Sequence, residues 1–305
     1  LSNVIVVVIG IGAKNVTDTR QYGLTHILNS LLPKKMIGVE NGNKRRILMT
    51  LQINTGKRGT LPERLVIVGV KKIGKTTFGS DAESPIFLPT EDGCSGITGL
   101  SYFDKQTSYK GVLDCVTQLG KEDHKYQTLV IDTLDGIVEL WSDAVMKDSF
   151  DNNPYKFNNY LQGNKVVAQE MKVLLDYLDR LREKKKMRII LLCHEGTANQ
   201  KNPEGDDYIK TTGYMGKYTW GLFANWADRI GHAGYDFKVR SGDDTENKKG
   251  KVIQKDDTRY LRFGGTATLD VGCRIGYEMK QDKMLFTYEE YKKNAVTERK
   301  SNAAI

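Results

Sequence analysis

Residues 64–77 read Arg64-Leu65-Val66-Ile67-Val68-Gly69-Val70-Lys71-Lys72-Ile73-Gly74-Lys75-Thr76-Thr77, and this stretch decides the fold. A short apolar run, Leu65 to Val68, ends at Gly69; four residues intervene before Gly74, Lys75 and Thr76. That is the G-x-x-x-x-G-K-[ST] pattern of a P-loop, in the strand-then-helix setting it requires. Glycines let backbone N–H groups turn inward around phosphate oxygens, and the start of the next helix adds partial positive charge. Lys75 is expected to reach the β- and γ-phosphates, and the Thr76 hydroxyl to hold Mg²⁺.

A second apolar run, Thr128-Leu129-Val130-Ile131-Asp132, closes on an acid. It reads as a Walker B strand whose Asp132 holds Mg²⁺ through water; the alternative is a buried strand capped by an aspartate. The next residue is Thr133 and not glutamate, so a water-activating carboxylate must come from elsewhere. Pro85-Ile86-Phe87-Leu88-Pro89-Thr90-Glu91-Asp92-Gly93 offers one at the end of another apolar run. Ligands of open α/β sheets lie beyond the carboxyl ends of the strands, so an acid there faces the γ-phosphate. Glu91 is the chosen general base, with Asp92 as the competing choice. No Asn-Lys-x-Asp element appears: Asn164-Lys165 and Asn247-Lys248 both lack the aspartate two positions on. ATP is therefore the default nucleotide.

From about Met49 to about Lys280 the chain resembles the phage-type nucleotide-binding AAA family of RecA-like ATPases. The matching pieces are RLVIVGVKKIGKTTF, PIFLPTEDG, YQTLVIDTLDGI, RIILLCHEG and FANWADRIGHAGYDFKV. Lys71 and Lys72 depart from the more Gly/Pro-rich phosphate loop usual in that family, while the pattern positions stay filled. The resemblance implies phosphate and Mg²⁺ binding by Gly69, Gly74, Lys75, Thr76 and Thr77, Mg²⁺ binding by Asp132 and water activation by Glu91. It also implies that His194, after the strand 188–193, senses the γ-phosphate and relays its presence to a DNA-binding loop. Read from the residue alone, His194 is equally a structural histidine. Some members of the family assist single-strand DNA annealing in phage recombination, which implies a host-cell cytoplasm.

Composition bounds the remainder. A chain of 305 residues with 39% hydrophobic residues can bury a sizeable core. Cys94, Cys115, Cys193 and Cys273 show no C-x-x-C spacing, so zinc and redox motifs are unsupported and reduced cytoplasmic thiols fit. Of the net charge of +8, residues 1–60 carry +7, from nine Lys/Arg and two Asp/Glu. Any nucleic-acid contact must therefore rest on local loops and not on overall basicity. The opening run around Val4–Ile9 is too short to span a bilayer and lacks the flanks of a signal peptide. It is an extra strand or part of an extension, 1–48, lying outside the ATPase domain at 49–295; the polar tail 296–305 is expected to fray.

Alternation of strand and helix predicts a mostly parallel sheet flanked by helices. Helices are expected at 110–120, 136–150 and 164–186, the last carrying Val167, Met171, Leu174, Leu175, Leu178 and Leu181 on one face. Beyond residue 234, short strands at 235–240, 251–254 and 260–263 around a polar turn, 241–250, predict an antiparallel extension. Two loops, 151–163 and 196–220, interleave aromatic residues with lysines; the second holds Lys210, Tyr214, Lys217, Tyr218 and Trp220. That mixture suits stacking on unpaired bases while tracking phosphates, or else a lid or subunit interface. Arg262 and Arg274 are candidate arginine fingers or plain surface residues. The resulting reading is an α/β, RecA-like P-loop ATPase that uses ATP and Mg²⁺, acts on single-stranded DNA, forms homo-oligomers and binds no membrane. The rival is a nucleotide-dependent switch for a protein partner; a small-molecule kinase ranks third, because no acceptor motif is visible.

Overall fold

The computed structural model describes residues 61–240, 251–264 and 266–296, with two-residue strand pieces at Val6–Val7, Gly38–Val39, Arg46–Ile47 and Met49–Thr50. The chain divides into two units, Leu1–Arg58 and Gly59–Ile305. In the first, Val6–Val7 pairs antiparallel with Met49–Thr50, and Gly38–Val39 with Arg46–Ile47. The expected strand around Val4–Ile9 is thus described only at its centre. The turn 241–250 and the tail beyond residue 296 lie outside the described residues.

The second unit is built on one ten-stranded sheet. Its strands are β1 (Arg64–Gly69), β2 (Pro85–Pro89), β3 (Ser101–Tyr102), β4 (Thr128–Asp132), β5 (Arg188–Gln200), β6 (Tyr208–Gly213), β7 (Arg229–Arg240), β8 (Lys251–Arg262), β9 (Gly272–Cys273) and β10 (Lys283–Leu285). The order across the sheet is β10-β8-β7-β1-β5-β4-β2-β3, with β6 on β5 and β9 on β7. β7, β1, β5, β4, β2 and β3 are parallel neighbours; β8 and β10 extend the sheet antiparallel. One strand, β5, separates the P-loop strand β1 from the Walker B strand β4. With the antiparallel edge beyond β7, this is the RecA-like α/β architecture.

Alternate residues of the fully buried β1 serve two cores, as a strand's period of two requires. Val66 and Val68 join Leu129, Ile131, Ile189 and Leu191 on one face. Leu65 and Ile67 join Phe87, Val130, Ile190 and Leu192 on the other. The first face is covered by α2 (Tyr109–Lys121), α3 (Leu134–Ser149), α5 (Gln162–Glu170), α6 (Lys172–Lys185) and α7 (Lys217–Trp226), with the short α4 (Pro154–Asn158) at its margin. The second is covered by α1 (Lys75–Ser80) and α8 (Tyr288–Asn294). There Phe78 stacks on Phe286 at 5.1 Å and meets Tyr288 and Tyr291 edge-on.

Three expectations change. The expected helix 164–186 is two helices, broken at Met171; that side chain is fully buried, as are Val167 and Leu174 on either side of it along the stripe, so the apolar stripe runs through the break. The expected loop 196–220 is a hairpin and a helix: β5 continues to Gln200, β6 returns in register from Tyr208↔Gln200 to Gly213↔Glu195, and α7 follows. The expected short strands past residue 234 are two twelve-residue strands, β7 starting already at Arg229.

Candidate active site

The site assembles where β1, β5, β4 and β2 end. Register puts Gly69 beside His194, and Asp132 beside Leu192 on one flank and Pro89 on the other. Gly69, Gly74, Lys75, Thr76, Asp132, Glu91 and His194 therefore converge, although up to 125 residues apart in sequence. Thr77 sits in the first turn of α1 with its side chain exposed.

Gly74 adopts φ +105°, a conformation glycine tolerates and other residues do not. It turns the chain into α1, which begins at Lys75. Lys75 Nζ donates to Gly69 O and Val70 O, both at 2.9 Å. Burial lowers the Lys75 pKa, opposed by nearby Asp132. Burial likewise raises the Asp132 carboxyl, opposed by a hydrogen bond from Thr76. A cation and an anion are thus both held at the cost of desolvation, which a ligand bringing phosphates and a metal relieves.

Thr76 Oγ1 donates to Asp132 Oδ2 at 2.7 Å. Two hard oxygens this close are near the spacing of neighbouring ligands of an octahedral Mg²⁺, for which metal–oxygen distances of about 2.1 Å put adjacent oxygens about 3.0 Å apart. The residues present fit Mg²⁺ and a nucleotide phosphate.

The place beside Asp132 that lacks a glutamate has a structural use. Thr133 caps α3, its Oγ1 accepting from Gly136 N, and also donates to Glu91 Oε1 at 3.2 Å. Thr133 N donates to Thr90 Oγ1 at 3.0 Å, and Thr90 N to Asp132 O at 2.8 Å. These bonds stitch the tip of β2 to the tip of β4 and bring Glu91 toward Asp132. Asp92 instead turns to Lys105, 2.9 Å away on the surface.

Asp135 belongs to the site although no motif in the sequence marks it. It accepts from His194 N at 2.9 Å and from His194 Nδ1 at 2.8 Å. An ionised carboxylate only accepts, so Nδ1 carries the proton and Nε2 is left as the variable face of the ring. His194 Nδ1 is also 3.8 Å from Glu91 Oε1. Glu91, Asp135 and His194 each offer a ligand atom within 4.8 Å of the others, so this trio is a second place able to hold a cation. The neighbouring residue Glu195 pairs with His232 at 2.9 Å, another contact between distant residues. A cleft of about 630 Å³ opens here, lined by Glu91, Asp135, Glu139, Asp143 and Glu195, with Lys71 and Tyr214 among its other walls. Its charge is mainly acidic.

The hairpin residues lie next to this cleft. Tyr214 N donates to His194 O at 2.8 Å, and the Tyr214 ring is exposed. Lys217 and Tyr218 are exposed on the first turn of α7, with Lys165 over the Tyr218 ring. Lys210 is held by Asp270 at 2.8 Å, and Trp220 is buried against Gly213 with Nε1 donating to Asp270. Trp220 is therefore withdrawn from any stacking surface. Both arginines that were candidate fingers or plain structural residues are engaged within the chain: Arg262 with Asp236, Arg274 with Asp228 and Asn225 O. Arg259, which the sequence reading did not single out, donates to Ile73 O in the P-loop at 3.0 Å.

A second cavity, about 410 Å³, lies at the opposite ends of the strands. Its acids are already paired, Glu83 with Arg188, Lys292 and Tyr288, Glu63 with Arg229 and Tyr291. No helix among the described residues is long and apolar enough to cross a membrane.

No curated protein matches the chain. Among solved structures it is similar to that of the RadB recombinase, with 14% identity over 67% of this chain and 81% of that chain and a TM-score of 0.37. The model of a family described as an AAA domain matches residues 61–274, from just before β1 to just past β9. With its P-loop, its Walker B strand and their order in the sheet, the chain belongs to this AAA-domain family.

Proposed function

We propose that the protein hydrolyses ATP with Mg²⁺ and couples the hydrolysis to single-stranded DNA held at the β5–β6 hairpin and the start of α7. One observation carries the reading: His194 meets Asp135 and Glu91 through its side chain, and Tyr214 at the hairpin base through its carbonyl. Lys75 exchanges its two carbonyl partners for phosphate oxygens. Thr76 and Asp132 hold the metal, which when bound neutralises charge on the β- and γ-phosphates. Glu91, steadied by Thr133, orients and deprotonates the attacking water. His194, its tautomer fixed by Asp135, addresses the γ-phosphate through Nε2, and its state reaches Tyr214 through the backbone. Tyr214 and Tyr218 offer stacking faces, and Lys217 a phosphate contact. Homo-oligomers on DNA belong to this reading.

The test is the ATPase rate alone and with single-stranded DNA, duplex DNA and RNA. Stimulation by single strands above the other two supports the proposal; hydrolysis without DNA binding at low salt overturns its DNA half. One observation favours the alternative, a nucleotide switch for a protein partner: Ile209 is 61% exposed on the hairpin, beside a lysine already held by Asp270.

A further inference from the structure

We propose that Arg259, carried by the antiparallel extension, is a second phosphate-binding cation acting within its own chain on the diphosphate part of the nucleotide. The inference rests on the nucleotide-binding reading above and adds a residue outside the P-loop motif. Arg259 lies on β8 opposite Tyr235, and its carbonyl accepts from Phe286 N at 2.9 Å, so its backbone is fixed on both sides. Its guanidinium reaches back to the P-loop. Nη1 donates to Ile73 O and occupies the space a side chain at Gly74 would need, 2.7 Å from the position of a Cβ there.

The electrostatics are one-sided. Arg64, Arg182, Arg188, Arg229, Arg262 and Arg274 each meet a carboxylate. Among the described residues Arg259 meets none, as is also true of Arg180, which is exposed on α6; the contact of Arg259 with the loop uses one of five N–H donors. The same turn already carries Lys71, Lys72 and Lys75. Four cations around one turn, with carbonyls as the partners of two, are stabilised by an anion. A guanidinium matches the paired oxygens of a phosphate better than an ammonium does. The place of contact selects which phosphate. Arg259 touches Ile73 and Gly74 and does not line the acidic cleft of Glu91, Asp135 and His194, where the γ-phosphate is attacked. Its partner is therefore the part of the ligand retained in ADP.

The experiment measures binding of ADP and of a non-hydrolysable ATP analogue to the full chain by calorimetry, together with kcat at saturating ATP. Arg259→Gln keeps an N–H donor for Ile73 O and removes the charge; Arg259→Lys keeps the charge. Lys75→Ala is the control, and melting without nucleotide reports the fold. Arg259→Gln should weaken both ligands by a similar factor, roughly tenfold for one charge-assisted hydrogen bond. Arg259→Lys should recover part of that loss. Affinities within about twofold of wild type in Arg259→Gln, while Lys75→Ala loses binding, overturn the proposal and leave Arg259 a brace for the turn. Loss for the ATP analogue alone, or a fall in kcat at unchanged affinity, overturns the diphosphate assignment. A wild-type chain that binds neither ligand fails the underlying nucleotide reading instead.

Discussion

The two ends of the parallel strands carry similar residues and treat them in opposite ways. At the amino ends, Asp228 is buried and receives Arg64 at 2.8 Å and Arg182 at 3.1 Å, with Arg274 at 3.5 Å; Arg229 is buried against Glu63 and Tyr291. Each charge there is answered by a protein group. At the carboxyl ends, Lys75 rests on two carbonyls, Asp132 on one hydroxyl, and the pKa values of both are displaced toward the neutral form by burial. Satisfied charges hold a fold together; charges kept short of partners are what a ligand can complete.

The sharpest way to break this contrast is to alter the carboxyl end. Glu91→Gln should lower turnover by about 10²–10⁴-fold, the usual worth of a general base, with ATP affinity nearly unchanged. Lys75→Ala should abolish turnover and weaken binding. Neither Lys75→Ala nor Asp132→Asn should reduce stability in urea unfolding without ligand, because each removes a charge held at a desolvation cost. Normal turnover in Glu91→Gln would show that another group serves as the base.

The next effect belongs to the amino end. Asp228→Ala leaves Arg64 and Arg182 without their shared carboxylate and should cost about 3–5 kcal/mol of stability, read from the urea midpoint at constant m. Nucleotide affinity of the fraction that remains folded should be unchanged. Loss of affinity without loss of stability would mean that the two ends are not separable.

A smaller effect tests the hairpin. Tyr214→Ala and Tyr218→Ala should each weaken single-strand binding by about 1–3 kcal/mol, and Lys217→Ala should reduce its salt dependence. Lys210→Ala should matter less, since Asp270 already occupies its charge. Basal ATPase should survive all four; equal binding by wild type and both tyrosine variants would move the DNA contact elsewhere.

The smallest effect is on acid stability. Burial alone would raise the Glu83 carboxyl, but hydrogen bonds from Lys292 and Tyr288 and the Arg188 charge hold it at about 2, against an ordinary 4.5. Its folded pKa is depressed, so its contribution is full above 4.5 and is lost as pH falls from there toward 2. Glu83→Gln should therefore flatten the fall of the urea midpoint across that window. An unchanged slope would assign the acid sensitivity to other carboxylates.

The parts of the molecule legible in the sequence are those where local chemistry and burial agree. β1, the P-loop and β4 combine a continuous apolar run with residues demanded by one ligand, and their strand positions follow. The hairpin was read as a loop because its strands leave the core: from Thr197 to Gln200 β5 is exposed, so no apolar alternation marks it. β7 was expected to start at Tyr235 because Arg229-Ile230-Gly231-His232 looks unlike a core strand. Arg229 is buried by its pairing with Glu63, and Gly231 lets Leu261 and Phe263 pack against the backbone. Asp135 and Arg259 act across 59 and 186 residues of sequence, and no local pattern ties either to its partner.

β5 is one unbroken strand from the centre of the sheet to the hairpin tip. Its inner half is clamped between β1 and β4, and among the described residues its outer half pairs only with β6. Mechanically it is a lever with His194 at the fulcrum. At about 3.3 Å per residue, the arm from His194 to Gln200 is roughly 20 Å long, so a tilt of about 3° at the imidazole swings the tip by about 1 Å. Motion too small to disturb the packed strands is thereby magnified at the far end, with stiffness supplied by the β6 ladder and not by a separate transmission element.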